Sequence, residues 1–344
     1  MSSQRIVSDA LATLHQACFL GLQLMVAREQ GDDVSGEWMF RLFRGQHEQF
    51  FLQSFEKLGL TGLPHAVACA RYHVLSNSIG GVPVEYAEES PTKAWVRFRY
   101  PRWMFAGPTI CGIPVESGRG FMRGWYAQNG VTLNNPRLGF VCVSEDATGE
   151  FGFCGYFREF EQDLSDDERL QFARDEMPPP FDANAQPELP SAEWSEARLA
   201  NANRNFAVTF VRNSLTALID VIGRDAAVDI GCRAARLIGL TYFQEIATQI
   251  GAVDGSCEDA ADFLTMLFEG MGDSVSRRTM ANGLVALVQE GLSIRRGVPA
   301  GTGDDVVQCW CELWVGALRS QQRVKEVTVE RGDHSITWTI SNRL

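Results

Sequence analysis

A chain of 344 residues, 45% hydrophobic and 22% charged, carries enough apolar material for a sizeable core and two domains, so disorder is not its default state. Thirty-one Lys and Arg against 43 Asp and Glu leave a net charge of −12, which argues against nucleic acid as a general partner. The opening MSSQRIVSDA lacks a secretory signal, no stretch reads as long and apolar enough for a bilayer span, and nine scattered cysteines read as reduced thiols; a cytoplasmic protein without a membrane partner is expected.

In chain order, the periodicity predicts helices near 5–29, 36–58 and 64–79, then strands near 82–88 and 93–100 around a turn at Ser90-Pro91. A glycine-rich stretch follows, with Gly112, Gly118, Gly120, Gly124, Gly130 and Gly139, which reads as a long binding loop or lid. A hairpin of 138–145 with 151–160 around Thr148-Gly149 closes the first half. Residues 175–196 hold five prolines and read as a linker.

Beyond the linker the same signals return. Adding 192 places Gly59 on Gly251, Gly80 on Gly272, Phe51 on Phe243, Ala68 on Ala260 and Leu75 on Leu267, and sets the Ser90-Pro91 turn on Asn282-Gly283. The expectation is an α+β protein of two related halves, 1–174 and 197–344, each a helical layer on an antiparallel sheet built from hairpins. The last hairpin, 322–330 with 335–341, collects its apolar residues on one face if Arg331 faces His334, so that Val329 meets Ile336, Val327 meets Trp338 and Lys325 meets Ile340. Within VVQCWCELWVG, alternation reads as a strand that places Cys309 and Cys311 on one face.

Chemistry-bearing residues concentrate in the first half. His65, Cys69, His73 and Asn77 follow at four-residue steps on one helical face. Ligands at i, i+4 and i+8 span roughly 12 Å and cannot all reach one ion, so a metal would need Cys69 and His73 with help from His47 or Glu48. A satisfied core histidine and a buried thiol are the commoner outcome for such residues. No cofactor is required by the sequence; a divalent metal and self-association stay open.

In VPVEYAEESPTKAWVRFRYPRW, pairing Glu89 with Thr92 sets Glu85 opposite Val96 on the more apolar face, where desolvation would suit it to acid or base work. A slip of one residue removes that argument, and an ion-paired edge carboxylate is its plain alternative. Arg97, Arg99 and Arg102, interleaved with Trp95, Phe98, Tyr100 and Trp103, form a candidate cradle for a small carboxylate, with the Tyr126 hydroxyl nearby; a solvated arginine ladder beside an aromatic core is the competing reading. At the 192 offset Glu85 becomes Arg277, Arg97 becomes Gln289 and His73 becomes Thr265, so the polar set occurs only in the first half and the second reads as a support.

The stretches NFAVTFVRNSLTALIDVIGRDAAVDIGCRAARLIG and HAVACARYHVLSNSIGGVPVEYAEESPTKAWVRF resemble the L-2-amino-thiazoline-4-carboxylic acid hydrolase-like family over about a fifth of the chain. The resemblance implies opening of a small nitrogen-containing ring by water, in a pocket that also holds a carboxylate, and carries over no functional residue. Joined to the residues above, it gives the expectation of a hydrolase acting on a C–N bond of a small anionic substrate. Glu85 would activate water, His73 would share the proton work, and Arg97, Arg99, Arg102, Trp95 and Tyr126 would bind. The alternative is a non-catalytic small-molecule-binding or protein-interaction module.

Overall fold

The computed structural model of the chain describes residues 3–99, 102–189, 194–252, 255–280, 283–321 and 325–342. It is an α+β fold of helices and two antiparallel-rich sheets. Three helices come first, α1 (Ser3–Gln30), α2 (Asp32–Lys57) and α3 (His65–Ile79), then strands β1 (Val84–Ser90) and β2 (Lys93–Phe98). Helix α4 (Val115–Gly124) and the short α5 (Asn129–Thr132) lead to β3 (Leu138–Ser144), β4 (Cys154–Glu159) and β5 (Leu170–Phe172). The order then recurs as α6 (Glu196–Ile222), α7 (Arg224–Ile250), α8 (Cys257–Gly270), β6 (Ser274–Thr279), β7 (Val285–Glu290), α9 (Gly303–Arg319), β8 (Lys325–Arg331) and β9 (Ser335–Asn342).

Contacts divide the chain into two compact units, residues 26–199 and residues 1–25 with 200–344. One division, between 199 and 200, falls just beyond the proline-rich segment; the other falls inside α1, whose residues up to 25 group with the C-terminal elements. Helix α1 is long and apolar enough to cross a membrane, which corrects the expectation that no stretch qualifies, and 67% of its most apolar window is buried within the folded chain.

In the unit of residues 26–199 the strand order is β1-β2-β4-β3-β5, antiparallel except where β5 runs parallel to β3. Helix α3 covers the face that carries Val84, Tyr86, Ala94, Val96 and Phe98. The opposite face has its own apolar cluster, Trp95, Val141, Val143, Cys154 and Tyr156, flanked by Ala87, Phe151, Phe160 and Ala173. The free edge of β1 is covered from the proline-rich segment, where the Gln186 side chain accepts from Tyr86 N at 2.8 Å and donates to Tyr86 O at 2.9 Å.

The glycine-rich stretch is not a lid. Gly120 and Gly124 lie one turn apart on α4, and a Cβ on either would strike the backbone of α2 at Gly36 and Phe40. Glycine spacing here lets two helices touch backbone to backbone.

In the other unit the order is β6-β7-β9-β8. Helix α8 starts on a capping box in which Ser256 and Asp259 satisfy each other's backbone donors, and its apolar face covers the sheet with Val285, Leu287, Ile336, Trp338 and Ile340. The segment holding Cys309-Trp310-Cys311 is helix α9, not a strand. It packs on α7 and β8, and over its whole length its apolar residues gather on one side with the helical period, which the short alternating run around Cys309 hides. Acidic Asp304 and Asp305 in its first turn and Arg319 in its last match the helix dipole. Gly239 and Gly316 bring α7 and α9 together as Gly36, Gly120 and Gly124 bring α2 and α4.

Candidate functional site

His73 projects from α3 into the core of the 26–199 unit, 3% exposed, its ring parallel to Tyr126 at 4.1 Å and to Phe157 at 5.4 Å, which lie 5.6 Å from each other. Its Nε2 lies 3.5 Å from Asn129 Nδ2, and Asn129 Oδ1 lies 3.0 Å from His47 Nε2. His47 in turn stacks on Phe51 and has Nδ1 3.4 Å from Arg44. One tautomer set satisfies the chain: His47 Nε2–H donates to the amide oxygen, and the amide N–H donates to His73. Burial dominates both titrations. It lowers His47 to about 4, and His73 well below its ordinary value, so both rings are neutral at pH 7.

Cys69 also reaches Asn129, and burial raises its thiol far above the ordinary range. The three metal candidates His47, Cys69 and His73 thus converge on an amide rather than on a common ion site, and among the described residues no group of three His, Cys, Asp or Glu is placed to hold a metal. His65 leads away to Asn135 at 3.1 Å. The Tyr126 hydroxyl is buried with no hydrogen-bond partner, inside packed rings rather than at a pocket mouth.

The first hairpin differs from expectation by one residue. Glu85 pairs with Arg97, Tyr86 with Val96 and Ala87 with Trp95. Glu85 therefore shares a face with Arg97 and receives Arg97 and Arg99, each at 3.5 Å, while His73 lies across the sheet on the α3 side. The expected place of Glu85 opposite Val96 on the apolar face is overturned: its side chain, 15% exposed, is ion-paired to Arg97 and Arg99, whose side chains are 44% and 64% exposed. Trp95 donates from Nε1 to Glu89 at 2.8 Å beneath the Lys93 ammonium.

Arg102 does not join this ladder. It is 4% exposed, pairs with Asp146 at 2.7 Å, and is ringed by Phe98, Phe105, Phe121 and Phe153 with centroids 4.5 to 5.4 Å from its guanidinium carbon. The cavity beside it holds about 10 Å³, the room of one water. The cradle expected from Arg97, Arg99 and Arg102 is thus two separate structures, and Tyr100, its remaining ring, lies outside the described residues.

An unexpected site lies in the other unit. A pocket of about 340 Å³ is lined by Arg204, Asn205, Val208, Thr209 and Arg212 along one face of α6, by Met271 after α8, and by Ser293, Arg296 and Gly297. The Ser293 wall is fixed by Asp273, which accepts from Ser293 N at 2.8 Å and from Gln289 Nε2 at 2.7 Å, while Trp338 donates to the same Gln289 at 3.1 Å. Leu292, just before that wall, is held at φ 22°, a conformation non-glycine residues rarely adopt and one found where a site constrains the backbone.

Among the described residues none of Arg204, Arg212 or Arg296 is ion-paired. Arg204 donates to Gly270 O and Asn205 Oδ1, and Arg212, 9% exposed, donates to Thr209 Oγ1 at 3.0 Å while its Nε has no partner. Burial first, and the Arg296 charge second, lower the proton affinity of both Arg204 and Arg212. Arg296 repels both, the Asp273 carboxylate offsets part of this at Arg204, and three cations beside this loop make a setting whose chemistry suits an anion. A sequence signal for it exists: from 197 to 219, helix α6 carries Arg198, Arg204 and Arg212 and not one Asp or Glu, in a chain with 43 of them.

Comparison with protein-family models, with curated proteins and with solved structures gives no match in any of the three.

Proposed function

We propose that this protein is a non-catalytic small-molecule-binding module whose ligand is a small anion held by Arg204, Arg212 and Arg296. The observation that carries the reading is three guanidinium groups without carboxylate partners around a pocket of about 340 Å³. Asn205, Thr209 and the Ser293 hydroxyl, which has no partner, add polar contacts for a carboxylate or phosphate, and Val208 with Met271 offers an apolar flank for its body. Among the described residues no His, Cys, Asp or Glu lines the pocket, which favours binding over hydrolysis there. The C–N hydrolase suggested by the family resemblance requires Glu85 and His73 at one cavity, and the register of β1 and β2 sets them on opposite faces.

We infer also that the chain is a tandem duplication. At an offset of 192, Gly31 and Gly223 precede α2 and α7 at φ 84° and 82°, and Gly59 and Gly251 follow them at 68° and 72°. Gly124 touches the backbone of Arg44, and Gly316 that of Arg236, again 192 apart on both sides. Nine free cysteines support a reducing, cytoplasmic setting.

The test is a titration of the full chain with inorganic phosphate, succinate and acetate, read as melting temperature and calorimetric heat. One charge-assisted hydrogen-bond pair is worth about 1.5–3 kcal/mol, so Arg296→Ala is expected to weaken binding roughly 10- to 100-fold. Equal responses from the parent chain and from Arg204→Ala and Arg296→Ala variants would refute the site.

A further inference from the structure

We propose that Cys232 and Cys309 form a hydroperoxide-oxidised dithiol that closes to a disulfide between α7 and α9. Their sulfurs lie 3.6 Å apart, on two helices that Gly239 and Gly316 hold in backbone contact. A second glycine makes the thiol pairing feasible: at Gly231, next to Cys232, a Cβ would crowd the Cys309 sulfur at 2.9 Å. The absent side chain leaves Cys309 free to sit against its neighbour.

The two thiols are not equivalent. Cys232 is half-buried and faces Gln308, Arg236 and Glu312, whereas Cys309 is 2% exposed and its sulfur sits 3.6 Å from Val228 O. The hydrogen bond with Cys309 lowers the Cys232 thiol, and the same contact with burial raises Cys309. Cys232 is thus the accessible nucleophile and Cys309 the resolving thiol behind it. Cys18 lines the small cavity on the other side of Cys309, fully buried and with its thiol raised to about 12, which leaves it out of the exchange.

The chemistry balances in two steps. The Cys232 thiolate attacks the terminal oxygen of a hydroperoxide, the O–O bond breaks, and a sulfenic acid forms as the leaving alkoxide takes a proton and departs as alcohol or water. Cys309 then attacks the sulfenic sulfur and displaces water, so two thiols and one hydroperoxide give one disulfide, one alcohol and one water. The sulfurs need close only from 3.6 Å to the roughly 2.0 Å of a bond.

The experiment exposes the full chain, with the exposed Cys111 replaced by Cys111→Ser, to hydrogen peroxide, then alkylates and maps it by mass spectrometry without reductant. A cross-linked Cys232–Cys309 peptide pair and a fall from eight titratable thiols to six are expected, the parent nine less Cys111 giving eight. Cys232→Ser should abolish the cross-link while Cys309 stays reduced. Because that variant also changes packing, iodoacetamide labelling of the unvaried pair gives an independent readout: both thiols should lose labelling together after peroxide and regain it with dithiothreitol. A stable sulfinic acid on Cys232 with Cys309 still free, or a cross-link joining other cysteines, would overturn the proposal.

Discussion

The polar clusters named in the unit of residues 26–199 and the guanidinium cluster of the unit built on residues 200–344 are partnered in different ways. In the first, residues that look chemical are answered by one another: His47 and His73 by Asn129, Arg102 by Asp146, Arg97 and Arg99 by Glu85. In the second, Arg204, Arg212 and Arg296 make no ion pair among the described residues, although Asp273 lies near enough to act on Arg204, and two thiols meet without a bond. A rich set of functional residue types predicts a buried network as readily as a site. What separates the two is whether the groups are partnered and whether they face open space, because a satisfied polar group adds specificity to a core, while the unpartnered Tyr126 hydroxyl, closed in by rings, has no room for a ligand.

The sharpest way to break this contrast is at Arg102. Replacing it by Ala strands the Asp146 carboxylate, 5% exposed, among four phenylalanines, and such losses cost about 3–5 kcal/mol. Chemical denaturation should show the 26–199 unit unfolding early. A variant as stable as the parent would mean that the pair is not the keystone of this core.

Acid should also separate the units. His15 and His47 titrate near 4 when folded against 6.5 in the unfolded chain, and His73 lower than its ordinary value too. Between those values the unfolded chain binds protons that the folded chain refuses, so stability is full above pH 6.5 and falls as pH drops towards 4. Each of His15 and His47 contributes about 3 kcal/mol over that window. His47 and His73 belong to one unit and His15 to the other, where it accepts from Trp310 Nε1. Hydrogen exchange at pH 7 and 5, corrected for intrinsic rates, should lose more protection in α3 and β4 than in α7 and α9.

Two neighbouring glycines make a finer test of the helix contact. Gly120→Ala drives a Cβ into the α2 backbone and should cost about 1–3 kcal/mol, whereas Gly118→Ala on the same helix meets open space and should be neutral or stabilising by up to about 1 kcal/mol. Thermal melts of the two variants decide it, and equal effects would show that α2 and α4 are not in backbone contact.

These cases also show what the sequence could and could not carry. The three leading helices of the first half, the closing hairpins and the α+β class were legible because long apolar periods and turn residues specify them locally. Register was not. The last hairpin is displaced by two residues from its expected pairing, with Val327 opposite Ile340 and Val329 opposite Trp338, and its faces survive because the side-chain period is two. The first is displaced by one, and the same small error turned Glu85 from the α3 face to the arginine face. Gly120 and Gly124 read as loop because a helix contact, not local preference, places glycines there, and Cys309 to Cys311 read as strand because a short alternating run was followed instead of the longer helical period of α9. The asymmetry between halves pointed to the first, whereas the site proposed above lies in the second, because residue type was counted and partners were not. The acid-free run of α6 was visible and carried the better signal.

The smallest expected effect closes the comparison from the other side. Glu85 is flanked by two half-exposed or exposed arginines, and exposed ion pairs are worth about 0–1 kcal/mol, so Glu85→Gln should shift the melting temperature little and leave anion binding at Arg204, Arg212 and Arg296 unchanged. The pairing logic demands this result. If Glu85→Gln instead altered the response to phosphate or succinate as much as Arg296→Ala does, a carboxylate partnered on its own sheet would be acting in ligand recognition, and being partnered would no longer mark a side chain as structural.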